Sequence, residues 1–309
     1  MTDNCPLVSV IVPCYNVEKY VGKCLSSILD QTYDKIQVVI VNDGSADNTE
    51  KVILSYKDAF LTKGHLFDYV YQDNQGVGFA VNNALKHIKG EYFCWIDSDD
   101  WYDEKYVETV VHYFKNHIEY SIVRVNAFVV SETGEKIGYR TTDKEEISGD
   151  NAFEHCLMVQ HFSFCGAGGG MIKTSDFDKV VSRREIYCSK WGQNWQLYLP
   201  MLYHYKVKFI DKPLQYILAR TNSLSREGSS KYTQNINREE EYFLLVKNAL
   251  ISLNISDCDK YLKMINTKYY HRFYYLATAH DDFSREKKYY KIFNFQIKCP
   301  RPDVITGGT

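Results

Sequence analysis

Four short runs rich in β-branched and aromatic residues punctuate the first hundred positions: Val8–Cys14, Ile36–Val41, Phe67–Gln72 and Tyr92–Ile96. The first two predict strands buried within a sheet, the third a further strand, and the fourth has the pattern of a buried strand. Between them, apolar residues recur at three- and four-residue spacing. Val17, Tyr20, Val21, Cys24, Leu25, Ile28 and Leu29 make one such face, and Val52, Ile53, Tyr56, Ala59 and Phe60 a second. Val77, Ala80, Val81, Ala84, Leu85 and Ile88 make a third, opened by Gly76. This period predicts helices with one apolar stripe. Asn16 is a candidate cap for the first helix, and Asp47 with Glu50 has the spacing of a capping box for the second.

Strand and helix thus alternate, which predicts an α/β fold: a mostly parallel sheet with helices on both faces. Right-handed crossovers suggest strand order 3-2-1-4. The order reverses between strands 1 and 4, and ligands of open α/β sheets bind at the carboxyl ends beside such a reversal.

Beyond position 103 the pattern changes. Tyr106, Val107, Val110, Val111 and Phe114 predict another helix, Ser121–Ser131 a strand, and Thr133-Gly134 its turn. Residues 132–150 are polar and read as a loop or hairpin. Gly166, Gly168, Gly169 and Gly170 suggest close backbone approach, near a ligand or at a strand bend. Residues 191–202 also read as a helix start packed through Trp195, Leu197, Leu199 and Leu202. From about 236 the chain reads as helical, with Tyr242, Phe243, Leu245, Val246, Ala249, Leu250 and Leu253 on one face.

Composition adds limits. With 45% hydrophobic residues in 309, a full core is expected rather than disorder. A net charge of −2 gives no reason to expect a nucleic-acid partner. The nine cysteines include no Cys-x-x-Cys pair. They are expected to be buried free thiols of a reducing compartment rather than a disulfide framework. The spacing of His155, Cys156, His161 and Cys165 fits no standard zinc site. No leader-like start and no apolar run of roughly 18 to 20 residues is evident, so a cytoplasmic location is expected, with peripheral attachment to the inner face of the cell membrane left open. Near the C-terminus, Tyr261, Tyr269, Tyr270, Tyr274, Tyr275, Tyr289 and Tyr290 interleave with Lys263, Lys268, Arg272, Lys287, Lys288 and Lys291. That mixture suits an anionic membrane surface. It equally suits a helical lobe packed on the rest of the chain or on a second subunit, as in a homodimer.

The strongest chemical signal is Cys94-Trp95-Ile96-Asp97-Ser98-Asp99-Asp100-Trp101, an apolar run ending in three carboxylates. Unpaired carboxylates are costly to bury, and a hard divalent cation, which can share its oxygen ligands with phosphates, is their commonest partner. Asn42-Asp43-Gly44-Ser45 ends the second strand, either as an ordinary turn or with Asp43 accepting from a base or ribose donor. Gly76-Val77-Gly78 hints at phosphate binding at a helix start. A full dinucleotide fingerprint and a Walker loop are both absent.

Four segments in order resemble family 2 glycosyltransferases of the GT-A fold, especially bacterial enzymes of surface-polysaccharide assembly. They are residues 9–16 (SVIVPCYN), 38–47 (VVIVNDGSAD), 72–78 (QDNQGVG) and 95–101 (WIDSDDW). The resemblance is firm over residues 7–125 and looser to 226. It implies a Rossmann-like GT-A domain over 1–235, with a nucleotide-sugar half at 1–125 and an acceptor half at 126–235. A C-terminal helical extension covers 236–309.

Pro13, Tyr15 and Asn16 would line the nucleotide pocket with Glu18 beside it. Asp43 would contact the base and Asp97 the base or ribose, with Ser98 in the same set. Asp99 would hold Mn2+ or Mg2+ on the diphosphate. Asn82 sits at the Asn of the family's Ala-Arg-Asn stretch, where Val81 replaces the Arg. Arg220 and Arg226 would neutralise the leaving diphosphate. Where the family has a Glu-Asp pair, the chain has Gln193 and Asn194. An amide cannot take up a proton as a carboxylate does. Asn194 would then position the acceptor, with Glu185 or His161 as base.

The resemblance implies an inverting transferase using a nucleotide sugar, a UDP-sugar above all. The acceptor would be a saccharide or lipid-linked saccharide in capsule, O-antigen or exopolysaccharide assembly. The alternative is a non-catalytic nucleotide-sugar-binding or scaffold subunit.

Overall fold

The computed structural model describes residues 5–140, 152–158, 168–188, 194–220 and 232–298. The chain divides into two compact units, Met1–Ser223 and Leu224–Thr309.

In the first unit, β1 (Val8–Cys14), β2 (Ile36–Asp43), β3 (Leu66–Gln72) and β4 (Tyr92–Trp95) are the four expected strands. They lie side by side in the order β3-β2-β1-β4, all parallel. Every side chain of β1 and β2 is buried, as continuous apolar runs require when helices cover both faces. On one face Val8, Val10 and Val12 pack with Val21, Leu25 and Ile28 of α1 (Val21–Leu29) and with Val107, Val110 and Phe114 of α5 (Tyr106–Asn116). The other face of β1 and β2 is covered by α4 (Val77–His87), through Ala80, Val81, Ala84 and Leu85.

The second apolar stripe predicts one continuous helix, but the chain makes two: α2 (Thr49–Ser55) and α3 (Lys57–Thr62), meeting at Tyr56. The Tyr56 hydroxyl is hydrogen-bonded to Ser26 at 2.9 Å, which ties the junction to α1. The expected capping box does not form. The Asp47 carboxylate accepts from the Thr49 amide (3.0 Å) and hydroxyl (2.5 Å), while Glu50 accepts from the Tyr69 hydroxyl. Nor does Asn16 cap α1. It lies in the left-handed region (φ 50°), and α1 begins five residues later at Val21.

Past β4 the sheet becomes mixed and reaches nine strands among the described residues. They are β5 (Trp101–Tyr102), β6 (Tyr120–Ser131), β7 (Lys136–Tyr139), β8 (Gly170–Lys173) and β9 (Lys206–Ala219). β8 runs antiparallel between β4 and β6, β9 is parallel to β6, and the two-residue β5 is antiparallel to β9. β6 and β7 form the hairpin expected after Ser131, turning through Gly134. Residues 141–150, part of the same polar stretch, lie outside the described residues. So do Gly166 and His161.

The remaining helices of this unit are α6 (Ala152–Leu157), α7 (Thr174–Val180) and α8 (Asn194–His204). Trp195, Leu197, Leu199 and Leu202 of α8 are buried, as their spacing suggests.

The second unit holds α9 (Tyr232–Ser252), α10 (Cys258–Thr278) and α11 (Phe283–Lys298). Much of the interleaved aromatic set is the core of this unit. Tyr261, Tyr269, Phe273 and Tyr289 are buried, and Phe243 of α9 packs on Tyr269 and Phe273. Tyr275 and Tyr290 remain exposed. Among the described residues, seven cysteines are free thiols, and no helix is long and apolar enough to cross a membrane.

Candidate nucleotide and acceptor site

Three loops meet at the carboxyl ends of β1, β2 and β4. The loop after β1 is fastened to the loop after β2 by a row of hydrogen bonds. The Asn16 amide donates to Ser45 Oγ (3.0 Å), Val17 to Thr49 Oγ1 (2.8 Å) and Glu18 to Asp47 Oδ2 (3.1 Å). In return Asn16 Oδ1 accepts from the Ala46 amide, and Glu18 Oε2 accepts from both the backbone and the side chain of Asn48. Asn16 and Glu18 therefore shape the rim of the site by holding the two loops together. Pro13 is buried beside Val41, and Tyr15 stands out at the rim, about half exposed.

Asp43 is buried and braced by the chain after β3. Its Oδ1 accepts from Gln72 Nε2 (2.7 Å) and the Gln75 amide (2.9 Å), and its Oδ2 from the Gly76 amide (2.9 Å). A carboxylate offers about four lone-pair positions, so three donors leave room for one more. Gly44 adopts φ 70°, and a Cβ there would lie 2.7 Å from the Asn74 backbone nitrogen. Only glycine fits this turn.

The acidic turn follows β4. Ile96 continues the ladder to β1, donating to Ile11 at 3.0 Å, and the Asp100 amide donates back to the Asp97 carbonyl at 2.9 Å. The three carboxylates then diverge in role. Asp100 is buried and accepts from the Leu218 amide (2.9 Å) and Gln215 Nε2 (3.3 Å), so it fastens the acidic turn to β9. Gln215 in turn faces Gly168 and Gly169, both at positive φ (70° and 62°), and a Cβ on either would meet the Gln215 side chain, while one on Gly170 would meet the Tyr198 hydroxyl. The close approach is to protein. Ser98 is buried and bonds the Cys14 thiol, which burial pushes up to about 12.

Asp99 pairs with Arg220, Nη2 to Oδ2 at 2.5 Å. Asp97 is pushed up to about 7, first by burial and then by the Asp99 charge, against the pull of Arg140 and Arg220. Asp97, Asp99 and Arg220 thus share one electrostatic site at the reversal of strand order.

Between an unfolded value of 3.8 and the folded value near 7, Asp97 holds more proton in the folded than in the unfolded chain. Stability then falls as pH rises through that window. Replacing Asp97→Asn should therefore stabilise the ligand-free protein at about pH 8 and change little at about pH 5. Urea unfolding of both proteins at the two pH values checks this, and a gain that does not grow with pH would refute it.

The remaining residues gather elsewhere. An open groove of about 370 Å³ is lined by Gln72, Gln75, Phe79, Asn82, Lys86 and Glu185, among others, and does not include the acidic turn. Asn82 clamps the segment after α7, donating to the Ile186 carbonyl (2.9 Å) and accepting from its amide (2.9 Å). Glu185 is paired with Lys86 at 3.1 Å. Asn194 starts α8, and among the described residues its buried side-chain oxygen has no hydrogen-bond partner. Gln193 and Arg226 lie outside the described residues. Sequence reasoning missed Asp100 as the tie to β9, Gln72 as the brace on Asp43, and Arg140 beside the acids. Only Arg140 had a local signal, as a cation next to the polar loop.

A mixed α/β sheet of the GT-A class is what this topology defines. Solved structures agree on the fold. The crystal structure of residues 1–349 of S. aureus TarS in complex with UDP-GlcNAc superimposes with a TM-score of 0.67 at 17% identity, covering 94% of this chain and 81% of that one. A mannosyltransferase from Pyrobaculum calidifontis, in complex with GDP-Man and Mn2+, gives a TM-score of 0.52 at 15% identity, over 94% and 84%.

The family described as glycosyl transferase family 2 matches residues 9–181, more than half of the sequence, and the chain belongs to that family. Among named relatives, glycosyltransferase GlyA of Streptococcus pneumoniae is 32% identical over 237 residues, covering 73% of this chain and 32% of its own length. Glycosyltransferase GlyG of the same organism is 39% identical over 105 residues, covering 34% of each. The chain thus spans about a third of the length of these two relatives.

Proposed function

We propose that this chain transfers a sugar from a nucleotide sugar to an acceptor hydroxyl, with inversion at the anomeric carbon. The observation that carries this is the half-buried Asp97–Asp99 turn, held opposite a cation at the point where the strand order reverses. A UDP-sugar donor is supported by the UDP-GlcNAc complex of the fold neighbour. A lipid-linked saccharide of bacterial surface-polysaccharide assembly is the acceptor class that the family suggests. Exposed Tyr275 and Tyr290 beside exposed Lys287 and Lys291 support peripheral membrane contact or a second copy as partner.

Mn2+ or Mg2+ fits the residues present in a specific way. Among the described residues no three His, Cys, Asp or Glu side chains converge on one point. The described residues therefore supply no full protein cage. One carboxylate, that of Asp99, already faces a cation, and such ions are commonly held by one or two carboxylates with phosphate oxygens completing the shell. Asp99 would be that ligand. When bound, the metal supplies Lewis-acid stabilisation of the departing diphosphate.

The chain's own residues do the rest. Asp43 fixes the turn at 72–76, Asp100 holds the acidic turn against β9, and Asn16 with Glu18 close the rim. The unpartnered Asn194 oxygen can accept a hydrogen bond from an acceptor hydroxyl and orient it.

A second reading, nucleotide-sugar binding without transfer, is favoured by that same amide where a carboxylate base is expected. Thermal-shift titration with UDP, GDP and their sugars, with and without Mn2+, is expected to show metal-dependent stabilisation by a uridine nucleotide. Slow UDP release from the sugar nucleotide should accompany it. Binding with no turnover on any lipid-linked acceptor would establish the second reading, and no shift with any nucleotide would dismiss both.

A further inference from the structure

Arg220 follows directly on β9, and its guanidinium meets the one carboxylate of the acidic turn suited to hold a metal. The pair is mostly shielded, with side-chain exposures of 23% for Arg220 and 16% for Asp99. The guanidinium also lies 4.8 Å from the centre of the Tyr20 ring, and its buried Nε has no hydrogen-bond partner among the described residues. Arg220 therefore leaves part of its donor capacity unused while it occupies the place opposite Asp99 that a metal ion would take.

Asp99 faces the positive charge of Arg220, and Arg140 adds a second cation near Asp97. Asp100 has its partners in β9, so Arg220 is the direct counter-charge of Asp99. A divalent ion arriving alone would have to displace that guanidinium and sit beside it, cation against cation. A diphosphate changes the balance, because it offers the guanidinium fork a bidentate anion and offers the metal further oxygens.

We propose that Arg220 is an exchangeable internal counter-ion. It keeps free divalent cations off Asp99 until a nucleoside diphosphate draws the guanidinium away, so that metal and nucleotide enter together. This rests on the donor-binding reading above. It goes beyond that reading in assigning Arg220 an exclusion role in the ligand-free protein and an order to metal binding.

The test is Mn2+ binding followed by electron paramagnetic resonance, with the metal alone and with UDP, on the full chain. Wild type is expected to bind Mn2+ weakly alone and tightly with UDP. Arg220→Ala and Arg220→Gln should bind Mn2+ alone at least about tenfold more tightly than wild type, the size expected for removing one adjacent charge. The gain from added UDP should shrink in both. Arg220→Lys should restore the wild-type pattern, and adding Asp99→Asn to Arg220→Ala should abolish the new binding. Thermal melts of each variant check that it is folded, and using both Ala and Gln guards against one misfolding.

Equal or weaker Mn2+ binding in folded Arg220→Ala and Arg220→Gln overturns the proposal while leaving donor binding intact. Tight Mn2+ binding by wild type alone overturns it as well. Absence of Mn2+ binding by wild type, even with UDP or GDP, removes both this proposal and the metal part of the donor reading.

Discussion

Asp99→Asn is expected to lower sugar transfer by roughly two to four orders of magnitude, as loss of a charge that acts on the departing diphosphate does elsewhere. The substitution keeps the shape of the side chain and removes only its charge. Arg220 then loses its ionic partner, and because the pair is mostly shielded this should lower stability by on the order of 1 to 3 kcal/mol. Activity should fall far beyond what that loss of stability explains.

That contrast separates a functional from a structural role. Asp100→Asn is the informative comparison. Asp100 is buried and accepts from the Leu218 amide, so its loss should act mainly on stability. UDP release from a UDP-sugar, with an acceptor extract, measures the first effect, and thermal unfolding the second. If Asp99→Asn retains activity within about threefold of wild type, the assignment of the acidic turn to diphosphate chemistry fails.

Legibility in the sequence followed the range of the interactions involved. β1, β2 and β4 were readable because burial leaves a continuous apolar run, the only partly buried edge strand β3 through its aromatic and β-branched residues, and their order because crossover handedness restricts what such runs can build. The acidic turn was readable because three carboxylates directly after Cys94-Trp95-Ile96 have no ordinary structural explanation.

What periodicity could not convey is who meets whom across the chain. Asp100 and Leu218 are 118 positions apart, and Asn82 and Ile186 are 104 apart. No local pattern marks either pair. The resemblance placed Asn16 and Glu18 beside the nucleotide, while the structure shows their side chains joined to Ala46 and Asn48. Asn and Glu are equally suited to either task, and only the folded loops decide. The break at Tyr56 was hidden for a related reason: α2 and α3 together keep the three-four spacing, so the stripe continues across a joint that α1 imposes from outside. The mixed half of the sheet was the least legible. β8 has only four residues and enters between β4 and β6 in the opposite direction, a placement set by partners rather than by its own pattern.

The largest stability effect should come from a residue with no chemistry at all. Gly90 lies at the entry to β4, and a Cβ added there would stand 2.6 Å from the Tyr92 carbonyl oxygen, 2.7 Å from that of Leu7 and 2.7 Å from the Ser9 nitrogen. All three are backbone atoms, so no side chain can swing aside. The neighbourhood is also pinned by its own hydrogen bonds. The Gly90 amide donates to Ser9 Oγ (2.9 Å), its carbonyl accepts from Thr174 Oγ1 (2.6 Å), and the Glu91 carbonyl accepts from the Thr174 amide (3.0 Å).

Gly90→Ala must therefore push β4 away from β1, at a cost of about 3 kcal/mol, the upper end for overpacking a closed site. In a unit of this size that corresponds to a fall of roughly 10 °C in melting temperature. Gly138→Ala, on β7 where no atom lies within 4 Å of the new Cβ, should melt close to wild type. The comparison also bears on function, because β4 carries Asp97 and Asp99 and its register on β1 sets their height above the sheet. Folded Gly90→Ala protein, recovered at low temperature, should bind UDP and Mn2+ more weakly although no contact residue has changed. Should it melt and bind like Gly138→Ala, the close β1–β4 approach would be wrong, and with it the position assigned to the acidic turn.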